Sequence, residues 1–190
     1  MTKAELKQLI AEEMTVYGIT KQNIWEKRFR HQKSYMIWMA VKRLRIYEYR
    51  ISQYRITQID ANRNKMISFI RDFKWKIALR KLNKSCEKVS LEFKPNRIGK
   101  MIRISHDNVV INGFIGERCE FHGNNVVGNK RTGAYDEVPK LGNHVDVGFG
   151  AMIIGKVEIA DDCVIGAGAV VTKSFTEPGS VIVGVPARKI

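Results

Sequence analysis

The chain has 190 residues, 44% of them hydrophobic, and a formal net charge of +14 at pH 7. This composition is that of a folded protein with one or two cores, and it excludes an intrinsically disordered chain. The three cysteines, Cys86, Cys119 and Cys163, are widely spaced and form no CxxC pair, which argues against a disulfide framework or a zinc knuckle and favours a reducing compartment. Because the sequence has neither a signal-peptide pattern nor an apolar run long enough to span a bilayer, we expect a cytoplasmic protein, soluble or peripheral.

The first predicted element is a helix near the start of the chain. Thr2 and Glu5 have the spacing of a capping box, and Gly18 supplies a stop signal. Between them, apolar residues recur on one helical face. These residues are Leu6, Leu9, Ile10, Met14 and Tyr17.

Residues 21–82 contain no proline or glycine and predict two or three further helices. Apolar residues recur there at spacings of three, four or seven, as a helix requires. They are Ile56, Ile59, Met66, Ile70, Phe73 and Ile77. Aromatic and basic residues alternate at residues 25–29 and 73–76, a pattern that can stack on nucleic-acid bases but on helices more commonly indicates core or amphipathic packing.

The positive charge lies almost entirely in this helical half. Residues 1–90 hold 21 Lys and Arg against 8 Asp and Glu, a net charge of +13, whereas residues 91–190 hold 12 against 11, a net charge of +1. The sequence therefore predicts a basic helical domain over residues 1–90 and a second domain over residues 91–190. A basic helical face is commonly just solvated, but one this biased is also a candidate for contact with anionic lipid at the inner face of a membrane or with a polyanion.

From Leu91 onward, an apolar residue returns at every sixth position, which predicts a repeat. The cleanest run is Leu141, Val147, Ile153, Ile159, Ile165 and Val171, accompanied by Val145, Ala151, Val157, Cys163 and Ala169. An earlier run is Ile98, Ile104, Val110, Ile115, Phe121 and Val127, with one short step after Val110. Six-residue rungs of this kind stack into a triangular coil, and the charged, glycine-rich residues 128–140 interrupt it as a predicted protruding loop.

The stride of six and the closing segment IGAGAVVTKSFTEPGSVIVGVPARKI resemble the hexapeptide-repeat acyltransferases, most of all the serine acetyltransferase family. The resemblance covers about half of the chain. It implies an α+β protein in which the helical domain precedes a left-handed parallel β-helix. It also implies a homotrimer, with a dimer of trimers as a further option, and acetyl-coenzyme A bound as co-substrate between neighbouring subunits, without a metal.

The same resemblance implies the catalytic residues. A histidine in a setting like RIGKMIRISHDNVVI is the family's general base, which makes His106 the candidate. Imidazole suits this role because its ordinary pKa of about 6.5 lets it accept and return a proton at cytoplasmic pH. The family places a carboxylate upstream to orient the ring, and the stretch LEFKP offers Glu92, although a surface glutamate at the domain junction fits this position equally well.

Coenzyme A binding in this family relies on backbone groups of late coils and on a basic residue, and the matching positions form one set. Individually, the small residues are also what the corners of a coil require. The set is Gly148, Gly150, Ala151, Gly166, Ala167, Gly168, Lys173 and Arg188.

The acceptor site departs from the family pattern. Where serine acetyltransferases have Asp-Arg-His-Pro, this chain reads Asp136, Glu137, Val138 and Pro139, and Ser105 replaces the aspartate before the catalytic histidine. A carboxylate in place of a cation disfavours an amino-acid acceptor. We therefore predict an O-acetyltransferase acting on a sugar of a capsular or extracellular polysaccharide, with a serine O-acetyltransferase of cysteine biosynthesis as the alternative. The candidate acceptor contacts are Ser105, Asn108, His122, Tyr135, Asp136 and Glu137.

Two hypotheses from other classes remain open. A zinc-dependent β-helix enzyme would use His106, His122 and His144, but their spacings of 16 and 22 do not give the close pair expected there. A nucleic-acid-binding helical module on a trimerising β-helix is permitted by the charge distribution. The GVPARKI ending favours the acyltransferases, so we expect no nucleic-acid partner.

Overall fold

A computed structural model divides the chain into two compact units, Met1–Lys88 and Val89–Ile190. It describes residues 1–59, 64–131, 133 and 136–190. The first unit consists of helices and the second of short parallel strands. The predicted α+β class, with helices before a left-handed parallel β-helix, is confirmed.

The helical unit begins with the predicted capping box. The backbone N–H of Glu5 donates to Thr2 Oγ1 at 3.2 Å, and that of Thr2 donates to Glu5 Oε2 at 3.0 Å. Three further helices follow, in agreement with the prediction. In the part of the chain that the structure describes, no helix combines the length and apolarity needed to cross a membrane. The helices are α1 (Lys3–Val16), α2 (Ile24–Phe29), α3 (Lys33–Ile59) and α4 (Lys65–Glu87).

Helices α3 and α4 pack against each other along their length. Small buried residues of α4, such as Ala78 and Ser85, let the two backbones approach closely. The guanidinium of Arg43 on α3 reaches across, donating to the carbonyl of Lys81 at 3.0 Å and to the hydroxyl of Ser85. The inner face of α4 is therefore narrow and partly polar.

The apolar residues that the sequence periodicity singled out lie on the opposite side of α4 and at the end of α3. All six are exposed in the single chain: Ile56, Ile59, Met66, Ile70, Phe73 and Ile77. Trp25 and Phe29 are exposed as well, so Trp25, Phe29 and Phe73 lie outside the core of the single chain, and of the predicted core or amphipathic packing only the amphipathic placement remains for them. Periodicity identifies an amphipathic face but not the partner that covers it.

A buried ion cluster joins α1 to α3. The Arg45 guanidinium donates to Glu13 through Nη2 at 2.8 Å and to Glu48 through Nη1 at 3.2 Å. Burial opposes the charge on Arg45, but the two carboxylates outweigh burial and raise its pKa above the usual value. The sequence pattern gave no indication of this cluster.

The second unit is a coil with three parallel sheets. Every pair of neighbouring strands is parallel except β13 and β14. The strand orders are β1-β3-β6-β9-β12, β4-β7-β10 and β2-β5-β8-β11-β13-β14. The strands are β1 (Leu91–Phe93), β2 (Arg103–Ile104), β3 (Val109–Ile111), β4 (Phe114–Ile115), β5 (Glu120–Phe121), β6 (Val126–Gly128), β7 (Lys140–Leu141), β8 (Asp146–Val147), β9 (Met152–Ile154), β10 (Glu158–Ile159), β11 (Val164–Ile165), β12 (Val170–Val171), β13 (Val181–Val183) and β14 (Arg188–Lys189).

The predicted stride of six forms the core of this coil. The six residues of the later run, which begins at Leu141 and ends at Val171, are all buried, and so are its five companions. In the earlier run, the prediction that Val110 belongs to the core is wrong. Val110 is only half-buried, and its neighbours Val109 and Ile111 point inward instead. The spacing of inward-pointing residues therefore departs from six both before and after β3.

The interruption at residues 128–140 lengthens one turn of the coil. Asp146 pairs with Val164, 18 residues later, whereas Glu120 pairs with Asp146, 26 residues later, so this turn carries eight extra residues (26 minus 18). Among the described residues, no strand lies between Gly128 and Lys140. The core column nevertheless continues across the insertion from Val127 to Leu141.

Candidate functional site

Strand register aligns the candidate residues at one corner of the coil. Ile104 pairs with Phe121, and Phe121 pairs with Val147. The residues that follow each of these three stack on one another from turn to turn: Ser105, His122 and Gly148. The next residues do the same: His106, Gly123 and Phe149. The register therefore places His106 next to Gly123 and His122 next to Ser105 on neighbouring turns of the same corner.

His106 is exposed on this corner, and its ring faces Phe149 edge-on, with the ring centroids 6.4 Å apart. Gly123 lies between these two side chains. A Cβ on Gly123 would fall 2.6 Å from His106 Cβ and 3.3 Å from the Phe149 ring. Its φ of +116° also suits glycine and few other residues. Sequence reasoning missed both Gly123 and Phe149, which only the register places next to His106.

Glu92 is exposed on β1, where its carboxylate forms an ion pair with Lys94 at 3.4 Å. Within the described ranges, no hydrogen bond or ion pair joins Glu92 to His106. The predicted orienting contact is thus not formed in this structure, in which the Glu92 carboxylate pairs with Lys94.

A histidine and a carboxylate do pair at the same corner. His122 Nε2 lies 2.8 Å from Asp146 Oδ1, one turn further along the coil. Ser105 Oγ donates to Glu120 at 3.1 Å. Sequence reasoning named His122 and Ser105 but missed their carboxylate partners, because 24 and 15 residues separate the members of the two pairs. A carboxylate on one ring nitrogen favours one tautomer and orients the ring, so His122 with Asp146 is a second candidate dyad.

The remaining candidate acceptor contacts are spread over this face and the loop. Asn108 is exposed and donates to Asn124 Oδ1 at 2.7 Å. Asp136 and Glu137 are exposed, and Glu137 lies 3.9 Å from the guanidinium of Arg131. Tyr135 lies outside the described residues.

Among the candidate coenzyme A contacts, Gly148 and Gly166 stack on consecutive turns. A Cβ on Gly148 would fall 2.6 Å from the backbone nitrogen of Ala167, so the close approach of two turns requires glycine there. Gly168 donates its N–H to the carbonyl of Phe149 at 2.9 Å, which joins the two corners. Nothing lies within 4 Å of a Cβ added at Gly168, in contrast to Gly148 and Gly166, so the backbone is open there.

The other candidate contacts differ in access. Ala151 is fully buried, and its carbonyl accepts from Val126 N–H, so the prediction that it touches coenzyme A is wrong. Gly150 has a φ of +73° and open space around its α carbon. Lys173 and Arg188 are exposed cations, and the Lys173 ammonium lies 5.5 Å from the centre of the Phe175 ring.

The cysteines are all buried and free of disulfides. Burial raises the pKa of the Cys86 thiol to about 12 and that of Cys119 to about 11, so both stay protonated near neutral pH.

The described residues contain no group of three or more His, Cys, Asp or Glu side chains that could hold a metal ion. His144, proposed as a zinc ligand, instead pairs with Asp162 at 3.1 Å.

Comparison with known proteins extends the resemblance. The family model described as bacterial transferase hexapeptide (six repeats) matches residues 139–173. The serine acetyltransferase of Mycobacterium tuberculosis is 36% identical over 100 residues, which cover 49% of this chain and 42% of that protein. The serine acetyltransferase of Synechococcus elongatus is 33% identical over 97 residues, covering 50% of this chain and 39% of that protein.

The fold is also found in solved structures. The soybean serine acetyltransferase apoenzyme superposes with a TM-score of 0.64 at 23% identity, covering 88% of this chain and 66% of that one. This likeness extends over both helices and β-helix, whereas the sequence likeness covers about half of the chain. The chain spans about two-fifths of the length of the two curated relatives above.

Proposed function

We propose that this chain, a hexapeptide-repeat protein of the serine acetyltransferase type, transfers the acetyl group of acetyl-coenzyme A to an acceptor hydroxyl. The sequence likeness to proteins named serine acetyltransferases supports this proposal. The observation that carries it is the exposed imidazole of His106, held against Phe149 at a corner of the coil by the space that Gly123 leaves. Positioned there, the ring is accessible to two substrates at once.

In the proposed reaction, His106 takes the proton from the acceptor hydroxyl as its oxygen attacks the thioester carbon. The tetrahedral intermediate then expels the coenzyme A thiolate, which takes that proton from the imidazolium. An ester and a free thiol result, and no covalent enzyme intermediate is needed. A general base contributes about 10²–10⁴-fold, and holding both reactants together supplies much of the remaining acceleration.

Coenzyme A would lie along the later turns, in a cleft between neighbouring subunits of a homotrimer. Its extended pantetheine arm would run past Gly148, Gly166 and Gly168, of which Gly168 leaves the backbone open. The exposed Lys173 and Arg188 would meet its phosphates. Ala151 is removed from the proposed site because it is buried.

Glu92 remains our candidate for orienting the His106 ring, a role that requires its carboxylate to leave Lys94. An exposed ion pair of this kind contributes about 1 kcal/mol or less, so substrate binding can displace it. The pair of His122 and Asp146 is the competing dyad, and it is already assembled.

For the acceptor, the comparisons favour the alternative over our first prediction. The relatives described above are named serine acetyltransferases, which supports serine and not a polysaccharide sugar. The loop also carries a cation for the carboxylate of a serine substrate, because the guanidinium of Arg131 lies there, beside Glu137. A sugar hydroxyl is the second candidate, because the exposed carboxylates of Asp136 and Glu137 are natural acceptors for hydroxyl donors.

Thiol release tests the proposed function. We expect the purified chain with acetyl-coenzyme A to liberate free thiol in proportion to added serine, and mass spectrometry to find one acetyl group on the acceptor. A panel of glycans run in parallel identifies a sugar acceptor. The assay has a low background, because all three protein cysteines are buried. If neither serine nor any glycan raises thiol release above the acceptor-free rate, the proposal is wrong.

A methyl group at Gly123 should disturb the site through His106. We expect Gly123→Ala to lower the transfer rate at least about tenfold, because the new Cβ displaces the imidazole or the Phe149 ring. Gly179→Ala is the matched control: Gly179 has a φ of +70°, but nothing lies within 4 Å of its added Cβ. Both variants should lose about 1–2 kcal/mol of stability from backbone strain. Equal transfer rates in the two variants would contradict the proposed position of His106.

A further inference from the structure

The outer face of α4 carries an apolar surface that none of the described residues covers. We call it the outer stripe and define it as Met66, Phe69, Ile70, Phe73 and Ile77. The spacing places these side chains on one side of the helix over about 17 Å. Their exposed fractions run from 72% for Phe69 to 37% for Ile77. Exposed aromatic and aliphatic side chains in one row mark an interaction surface.

The packed side of α4 is the opposite one. Ser68, Ala78 and Leu82 are buried there, whereas the outer stripe faces solvent. The helix thus has a narrow, partly polar face that α3 covers and an apolar face, the outer stripe, that is exposed. Ile56 and Ile59, exposed at the end of α3, add further uncovered apolar side chains to this helical unit.

Positive charge surrounds the outer stripe. At 100° per residue, Lys74 and Lys76 lie on either side of it, and Arg80 and Lys84 continue its line. From residue 65 to residue 86 the sequence holds seven Lys and Arg and one acid, Asp72, which pairs with Lys76 at 2.7 Å. The exposed cations are Lys65, Lys74, Lys76, Arg80, Lys81 and Lys84.

These charges discriminate among possible occupants. A second copy placed on the same face would bring together two basic surfaces, each with seven Lys and Arg against one acid over residues 65–86, and like charges repel. A nucleic acid would satisfy the cations but would leave the isoleucines and Met66 in water. An anionic lipid surface satisfies both, since apolar side chains enter the acyl boundary while lysines and arginines meet the phosphates.

We propose that the outer stripe docks the helical unit on an anionic lipid surface. The helix lies in the plane of the interface and does not cross it. Because this binding needs no acetyl transfer, it stands or falls independently of the proposed function.

Vesicle flotation tests this inference with the full chain. We expect the protein to float with vesicles of phosphatidylcholine and phosphatidylserine, and at least about tenfold less with phosphatidylcholine alone. Raising the salt concentration should weaken the binding, since it screens exposed charges. The double variant Phe69→Ser with Phe73→Ser should lose at least about tenfold in vesicle binding.

Phe29→Ser is the control variant, because Phe29 is exposed in the same unit but lies on α2. It should bind like the unchanged protein, and both variants should keep the helical circular dichroism of the parent. Vesicle binding that survives the double substitution, or that is equal for neutral vesicles, overturns the proposal. An absence of vesicle binding also overturns it. In that case, a lower molecular mass of the double variant in light scattering would indicate that a second copy covers the outer stripe, and weaker binding of the double variant to an oligonucleotide would indicate a nucleic acid.

Discussion

Replacing His106 with alanine is expected to reduce the rate of acetyl transfer by about 10²–10⁴-fold, the usual contribution of a general base. The loss should fall on kcat, because proton removal from the acceptor occurs in the transition state and not in substrate binding. The fold should survive, since His106 is exposed and its ring contact is with Phe149, which is itself exposed. Steady-state thiol release and a thermal melt of the same sample measure the two effects.

His144→Ala is the matched control for this experiment. His144 is also exposed at a corner of the coil, and its ring nitrogen pairs with Asp162 at 3.1 Å, away from the stacked corner of His106. It should retain the rate of the unchanged chain. If His106→Ala keeps full turnover while His122→Ala loses it, the base is His122 with Asp146 and our assignment is wrong.

The sequence predicted the β-helix well because each rung repeats one physical requirement. A side chain at every sixth position enters a narrow core, so Leu141, Ile153 and Ile165 could be placed from spacing alone. The prediction from spacing is wrong at Val110, where a rung departs from six residues and both flanking residues point inward. Nothing in the composition of that segment distinguishes the neighbouring valines.

The site could be predicted only in part, because its contacts depend on register between distant turns. His106 was found through its local motif, but Gly123 and Phe149 adjoin it only once pairings 17 and 26 residues apart are known. The length of the inserted loop sets the second of these distances. The exposed row on α4 was visible as periodicity, whereas its exposure to solvent among the described residues required coordinates.

The largest expected loss of stability follows from removing Glu13. Its carboxylate and the Arg45 guanidinium are almost fully buried, with 1% and 3% of their side chains exposed. Deleting one partner of such a pair leaves the other charge uncompensated in a medium of low polarity, which costs about 3–5 kcal/mol. Arg45 cannot escape by losing its proton, because the ordinary pKa of a guanidinium lies far above neutral pH. Glu48 offers only partial compensation.

We therefore expect Glu13→Ala to lower the free energy of unfolding of the helical unit by about 3–5 kcal/mol in urea titrations. Tryptophan fluorescence reports on this unit alone, since the three tryptophans, Trp25, Trp38 and Trp75, all lie within it. Glu12→Ala, at the exposed neighbouring position, should change stability by no more than about 0.5 kcal/mol. Equal midpoints for the two variants would show that the buried carboxylate does not hold α1 to α3, whereas a large difference would establish the ion pair as the main specific contact between them.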